Sequence, residues 1–156
     1  MGRILLSLPP RIKVLEALGC VADRRINFLK ENYAKVVSSL GDRVYDVYVD
    51  VNRGVAYSSD NGTTYRNYIG YPIISFLMMK GLLPFNGKIA EALKGIPWKS
   101  LNERYRKYAL VEREIFMMLK ERGISRREVL AFVKIVMEKL KAIKLFKLES
   151  LPLEVY

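Results

Sequence analysis

An eight-residue alternation between positions 44 and 51 constrains the fold more than any other feature of this sequence. The odd-numbered positions are Tyr45, Val47, Val49 and Val51, and the even-numbered positions are Val44, Asp46, Tyr48 and Asp50. Because successive side chains of a strand point to opposite faces, this period of two predicts a half-buried β-strand. Asn52-Arg53-Gly54 then supplies a turn, and residues 55–58 predict the returning strand of an antiparallel hairpin. Since an isolated hairpin is only marginally stable in water, we expect its apolar face to pack against helices.

The first half of the chain also carries three helical patterns. Pro10 favours a helix through about Leu18, with Gly19 as its stop. From 23 to 40 apolar residues recur at spacings of three and four, which predicts a second amphipathic helix. The apolar run at 71–79 predicts a short buried helix, because a membrane span needs about 20 such residues. The polar residues from Ser59 to Thr64 predict an exposed loop between the hairpin and this helix.

Helical patterns fill most of the second half. We expect a short helix over 86–93 and a long helix from Ser100 to about Arg122. Ser125 and Glu128 stand three residues apart before an apolar-periodic run, which is the signature of a capping box. This cap predicts a last helix that continues to about Phe146. The tail from Ser150 contains a proline, and we expect it to be loosely held.

Together these patterns predict an α+β fold, a mostly helical domain with one central antiparallel β-hairpin. We expect residues 1–84 to form a helix pair, the hairpin and the central apolar helix. Residues 85–156 would form a C-terminal helical region within one compact domain. The first two helices, with 19–23 as their turn, resemble the opening of a helix-turn-helix, and the hairpin at 44–58 resembles a wing. The resemblance implies a winged-helix-like arrangement, for which a break of the second helix near Asn32 would supply the third helix.

The charge balance points to acidic partners. The chain has 27 lysines and arginines against 16 aspartates and glutamates, a formal net charge of +11 at pH 7. Such an excess favours association with nucleic acid or with an acidic protein, although it says nothing about the fold.

Cysteine and histidine usage bounds the chemistry. Cys20 is the single cysteine, so no disulfide can form within the chain, and we expect it to be a buried apolar residue in a reducing compartment. We therefore expect a cytoplasmic protein that does not enter a membrane. Histidine is absent, which removes the commonest general base and metal ligand. Glutamine is absent as well, and together with many charged residues this gives a thermophile-like composition.

Two segments interleave basic residues with tyrosine. Tyr65, Arg66 and Tyr68 lie in the first, and Arg104, Arg106 and Lys107 lie in the second. Cationic side chains neutralise phosphates, while tyrosine rings can stack on exposed bases. The alternative is a solvated helix face, because Tyr105 and Tyr108 fall on the apolar side of the predicted long helix and are expected to be core residues.

A second basic surface is predicted on the last helix. At 100° per residue, four cations share one narrow arc opposite its apolar face: Arg127, Lys134, Lys141 and Lys144. Arg24 and Arg25, near the start of the predicted second helix, would extend this footprint. A solvated face is again the alternative interpretation.

These observations favour a non-enzymatic nucleic-acid-binding protein, with a DNA-binding regulator as its most specific form. A protein-interaction subunit whose basic face meets an acidic partner is one alternative. A metal-dependent nuclease using Asp46 and Asp50 is another. No glycine-rich phosphate loop is present, and no serine has a histidine to activate it. We therefore expect no catalytic residue, cofactor or resident metal, and self-association is left open.

Overall fold

The computed structural model describes residues 3–156, within which helices pack against one β-sheet. The α-helices are α1 (Ile12–Ala22), α2 (Asn61–Arg66), α3 (Tyr71–Met79), α4 (Gly87–Ala92), α5 (Trp98–Tyr105), α6 (Tyr108–Glu121) and α7 (Arg126–Ala142). The strands are β1 (Ile26–Lys30), β2 (Tyr33–Val37), β3 (Val44–Asp50), β4 (Val55–Ser58) and β5 (Phe146–Lys147), and a 3₁₀-helix spans Leu153–Val155. The predicted α+β class is confirmed, but the sheet has five strands and not a single hairpin.

The predicted hairpin forms the centre of the sheet. The strand order is β1-β2-β3-β4-β5, in which β1 to β4 are antiparallel neighbours and β5 runs parallel to β4. Val47 pairs with Ser58 and Val49 with Ala56, so the hairpin has the predicted strands. Gly54 has φ +66°, as its place in the turn requires.

The predicted second helix at 23–40 is wrong, because this segment forms the β1–β2 hairpin. Strand β2 pairs along its whole length with β3, from Tyr33 opposite Tyr48 to Val37 opposite Val44. These long-range ladder hydrogen bonds override a helical spacing that the local sequence also fits. The helix pair required before the hairpin is therefore missing, and the winged-helix-like arrangement is wrong.

Helix α1 packs against α3, which lies on the first face of the sheet, and it continues past Gly19 to Ala22, so Gly19 is not a stop. A Cβ atom at Gly19 would lie 2.7 Å from Nε1 of Trp98, and the glycine lets the indole approach the helix. Cys20 is fully buried beside it, as predicted, and burial raises the pKa of its thiol. The main core contains residues from both sides of Pro84, and the division there stays a prediction. Positions 1 and 2 of the predicted first part lie outside the described residues.

The C-terminal tail is not loosely held. Leu151 and Val155 pack over a small cluster on the second face of the sheet, where Tyr48 is only 1% exposed. The hydroxyl of Tyr48 donates to the Glu154 carboxylate, and Nζ of Lys30 donates to the Glu154 carbonyl oxygen at 3.0 Å. The tail therefore covers a sheet face that the alternation assigned to solvent.

The predicted long helix over 100–122 is divided into α5 and α6. Arg106 adopts the left-handed conformation with φ +57°, and Lys107 is extended, so these two residues interrupt the helix. The last helix ends at Ala142, short of the predicted Phe146, which pairs in β5.

The predicted cap of α7 is confirmed for its serine half. Oγ of Ser125 accepts from the backbone N–H of Glu128 at 3.2 Å. The Glu128 carboxylate does not return to the cap, because it accepts from Nζ of Lys88 at 3.1 Å. Ser125 thus satisfies a backbone donor that the first turn of α7 would otherwise leave free.

Substituting Ser125 with alanine should lower the free energy of unfolding by about 1 kcal/mol, because the N-cap acceptor is lost. Ser150 is the matched control, since it is exposed and makes no side-chain hydrogen bond within residues 3–156. Urea unfolding of S125A and S150A measures both effects. Equal stability of the two variants would contradict the capping role.

Candidate functional site

A cavity of about 420 Å³ opens between α1, the loop after β2, the start of β3, α2, the N-terminus of α3 and the junction of α5 with α6. This volume lies within the range of small-ligand pockets, about 300–1,000 Å³. Its lining is mixed, with charged side chains and several aromatic rings. The cationic side chains are Lys13, Arg25, Arg66, Lys99, Arg106 and Lys107, and the acidic ones are Glu16, Asp60 and Glu103.

Three of these cations form what we call the cationic edge: Arg66, Arg106 and Lys107. All three are exposed, and within residues 3–156 none forms an ion pair with an acidic side chain. The break between α5 and α6 puts Arg106 and Lys107 at the cavity, while Arg66 reaches it from the last turn of α2. The cationic edge is therefore free to meet an anionic ligand.

A buried carboxylate lies deeper in the cavity. Glu16 is 2% exposed and accepts from Nζ of Lys13 at 3.1 Å and from Nδ2 of Asn102 at 2.8 Å. A buried charge of this kind is stable only when it is paired and hydrogen-bonded, as it is here. We did not predict Glu16 from the sequence. Its signal was a charge one helical turn after Ile12, at a position that faces inward.

Two tyrosines meet in the lining of the cavity. The hydroxyl groups of Tyr68 and Tyr108 lie 3.2 Å apart, and Nζ of Lys13 lies 5.3 Å from the centroid of the Tyr108 ring. Burial, with this hydrogen bond, raises the pKa of Tyr68 well above its ordinary value. Tyr108 is 37% exposed and lines the cavity, so its predicted place in the core is wrong. Tyr105 does pack against the core, as predicted.

Arg25 and two further tyrosines form the opposite wall. The Arg25 guanidinium donates to the Val37 carbonyl oxygen at 2.8 Å and lies 5.7 Å from the centroid of the Tyr71 ring. Tyr45 meets Tyr71 edge to face at a centroid distance of 6.5 Å. Burial raises the pKa of Tyr71 far above its usual range. Arg25 is thus at the cavity, as predicted, but its guanidinium is held by protein groups.

Asp60 lines the cavity and is hydrogen-bonded to neighbouring residues, in a segment that we predicted as an exposed loop. It is 6% exposed and accepts from the backbone N–H of Thr63 at 3.1 Å, which caps α2. The Ser58 hydroxyl also donates to it. A Cβ atom at Gly70 would lie 2.7 Å from the Asp60 carboxyl carbon, so only glycine fits at this position.

A family model described as "Uncharacterised conserved protein UCP014422" matches residues 6–146. The chain belongs to the UCP014422 family. No curated protein and no solved structure matches it. Every residue that lines the cavity lies inside the segment that the UCP014422 family model covers.

The remaining predicted binding residues of this UCP014422 member do not line the cavity. All are exposed, and they are Arg24, Tyr65, Arg104, Arg127, Lys134, Lys141 and Lys144. The basic stripe therefore has the predicted solvent exposure, and its role in binding stays a prediction. Lys144, however, lies after the end of α7 at Ala142, so the prediction that it is on the last helix is wrong. Of the predicted residues, the cavity brings together Arg25, Arg66, Tyr68, Arg106 and Lys107.

The two aspartates of the nuclease alternative lie on β3, and both accept hydrogen bonds from protein groups. Asp46 accepts from the Tyr33 hydroxyl at 2.6 Å, and Asp50 accepts from the backbone N–H of Arg53 at 3.1 Å. Across residues 3–156 no three side chains of cysteine, histidine, aspartate or glutamate are grouped for a shared metal ion.

None of the helices within the described part of the chain has the length and apolar character needed to cross a membrane.

Proposed function

We propose that the protein binds nucleic acid, without catalysing a reaction, through the cavity and its cationic edge. The observation that carries this proposal is the meeting of three unpaired cations with exposed tyrosine surface at one concave site. Cations at such a site neutralise phosphates, and tyrosine rings offer faces to unstacked bases. The two basic-tyrosine segments, far apart in the sequence, supply both kinds of group to the same cavity.

The backbone of Arg106 adds support. Arg106 has φ +57°, a left-handed conformation that usually carries glycine, because a side chain there costs about 1 kcal/mol. Among residues 3–156 its side chain makes no ion pair that would offset this cost. Strained residues without structural compensation cluster at functional sites. Arg24 has the same conformation outside the cavity, so the strain at Arg106 supports the proposal only together with its place at the cavity.

The exposed stripe on α7 favours a second candidate, a protein-interaction subunit with a basic face for an acidic partner. Such a partner would be held by charge alone and would not need the cavity. A ligand whose binding responds to the α7 cations and not to the cationic edge would support this candidate.

The test compares Arg106→Gly with Arg24→Gly. Arg24 is a matched control because it is exposed, lies outside the cavity and is also left-handed, with φ +55°. Both variants relieve the same backbone strain, so both should melt close to the wild type. Removing one phosphate contact should reduce the slope of log affinity against log salt by about 1. Because the proposal places the phosphate contacts on the cationic edge and not on Arg24, we expect this reduction for Arg106→Gly and an unchanged slope for Arg24→Gly.

The measurement is a salt series of binding to labelled single-stranded and duplex oligonucleotides. Wild-type affinity should fall steeply between low and moderate salt. An absence of binding at micromolar protein and low salt would overturn the proposal. Equal salt slopes for the two variants would contradict the part of the proposal that assigns phosphate binding to the cationic edge.

A further inference from the structure

We infer that the cavity receives one unpaired nucleotide of a single strand, with its base on the Tyr108 ring and its phosphate on the cationic edge. This inference rests on the proposed function and names the form of nucleic acid that the site takes. The inference distinguishes a site that binds a base from a surface that contacts only phosphates.

The fall in exposure across the groups that line the cavity carries the inference. The cations of the cationic edge are exposed, Tyr108 is 37% exposed, Tyr68 is 8% exposed and Glu16 is 2% exposed. A nucleotide presents the same order, because its phosphate is charged and solvated while its base is aromatic with polar edges. A duplex presents phosphates on a convex surface and keeps its bases stacked, so it offers nothing to the buried groups.

The Tyr108 ring is already held in place. Tyr108 is the first residue of α6, its hydroxyl lies 3.2 Å from the Tyr68 hydroxyl, and the Lys13 ammonium lies 5.3 Å from its centroid. A ring fixed in this way loses little conformational freedom when a base stacks on it. Tyr108 as a residue is 37% exposed, so part of its surface is open to an entering base.

The buried polar groups of the lining include both acceptors and a donor, and they suit the edge of a base. Nε1 of Trp98 is a buried donor without a hydrogen-bond partner among residues 3–156. Glu16 lines the cavity as a carboxylate, and the Nδ2 atom of Asn102 donates to it. This orientation leaves Oδ1 of Asn102 buried without a hydrogen-bond partner among residues 3–156. Buried polar atoms are normally paired, so an unpaired acceptor beside a cavity fits a ligand that brings donors. Exocyclic amino groups on bases are donors of this kind.

The experiment compares Tyr108→Leu with Tyr108→Phe on three labelled probes, measured by fluorescence anisotropy. The probes are a single-stranded oligonucleotide, the blunt duplex of the same sequence and a strand of equal length made of abasic residues. Loss of one base-stacking contact should weaken single-strand binding of Tyr108→Leu about five- to hundredfold. Tyr108→Phe keeps the ring and loses the Tyr68 hydrogen bond, so its binding should stay close to the wild type. Duplex and abasic binding should not respond to either variant.

The abasic probe keeps the test decisive even if Tyr108→Leu does not fold. Wild-type protein that binds abasic and normal strands equally would overturn the inference and leave the proposed function standing. Equal binding of single strand and duplex would also overturn it. Weaker binding of the abasic strand than of the normal strand would support the inference if this difference disappears in Tyr108→Leu. If no probe binds, the proposed function itself fails.

Discussion

Replacing Gly70 with alanine is expected to lower the free energy of unfolding by about 2 to 4 kcal/mol. The added Cβ would lie 2.7 Å from the Asp60 carboxyl carbon, which is closer than side-chain atoms normally approach. Asp60 cannot move away freely, because it caps α2 through Thr63 and accepts from the Ser58 hydroxyl. The variant must therefore either displace α3 from α2 or break the cap.

Gly87 provides the matched control for this substitution. It is the first residue of α4, its φ is not positive, and the nearest atom to an added Cβ is a Phe85 ring carbon at 4.0 Å. Gly87→Ala should therefore be neutral or stabilise the protein by up to about 1 kcal/mol, because alanine favours the helix. Urea unfolding of the two variants gives the comparison.

A double variant identifies the cause. If the clash with Asp60 is responsible, then adding Gly70→Ala to Asp60→Ala should cost much less than Gly70→Ala alone. Additive effects would mean that the alanine disturbs another neighbour. A Gly70→Ala variant as stable as the wild type would show that the close approach of α2 and α3 does not constrain this region.

Elements with strong local signals were predictable. The alternation at 44–51 and the turn at Gly54 predicted β3 and β4 because both signals lie within one short stretch. Ser125 predicted the start of α7 because a cap acts on the backbone of its own first turn. The apolar run at 71–79 predicted α3 within a residue at each end.

The β1–β2 hairpin was not predictable in the same way. The spacing that indicated a helix over 23–40 counted Leu29 and Leu40 as core residues, and both are 50% exposed. The buried apolar residues of this segment are Tyr33, Ala34 and Val36, and all three lie on β2. Their burial depends on pairing with β3, and a helical period within one segment cannot show a partner strand.

The candidate site was predictable only in part, for a related reason. Charge interleaved with tyrosine identified Arg66, Arg106 and Lys107, since that signal lies in the local sequence. It did not show that the two segments meet, which depends on Tyr68 and Tyr108, 40 residues apart. The contact between Glu16 and Asn102 spans 86 residues, so no local pattern indicated it.

Raising the pH above 10 is expected to unfold the protein cooperatively, and this is the largest solution effect that we predict. Six of the ten tyrosines have a raised pKa in the fold, chiefly because burial disfavours the phenolate: Tyr33, Tyr45, Tyr48, Tyr57, Tyr68 and Tyr71. For Tyr33, burial and the hydrogen bond to Asp46 raise the pKa to about 12.

The sign follows from proton linkage. An unfolded chain releases its tyrosine protons near pH 10, while the folded state keeps them, so higher pH favours unfolding. The stabilising contribution of Tyr33 is fully present below pH 10 and is lost as the pH rises toward about 12. Tyr33, Tyr48 and Tyr57 lie together under the C-terminal tail, so ionisation of one would expose the others.

Alkaline titration followed by far-ultraviolet circular dichroism and by phenolate absorbance tests this expectation. The two signals should change together above pH 10, because the buried tyrosines ionise only as the fold opens. Tyr33→Phe removes one titrating group and should make stability less dependent on pH between 10 and about 12, although it also loses the hydrogen bond to Asp46. Phenolate absorbance that rises fully near pH 10 with unchanged circular dichroism would show that these tyrosines are open to solvent, and it would contradict the packing of the tail on the sheet.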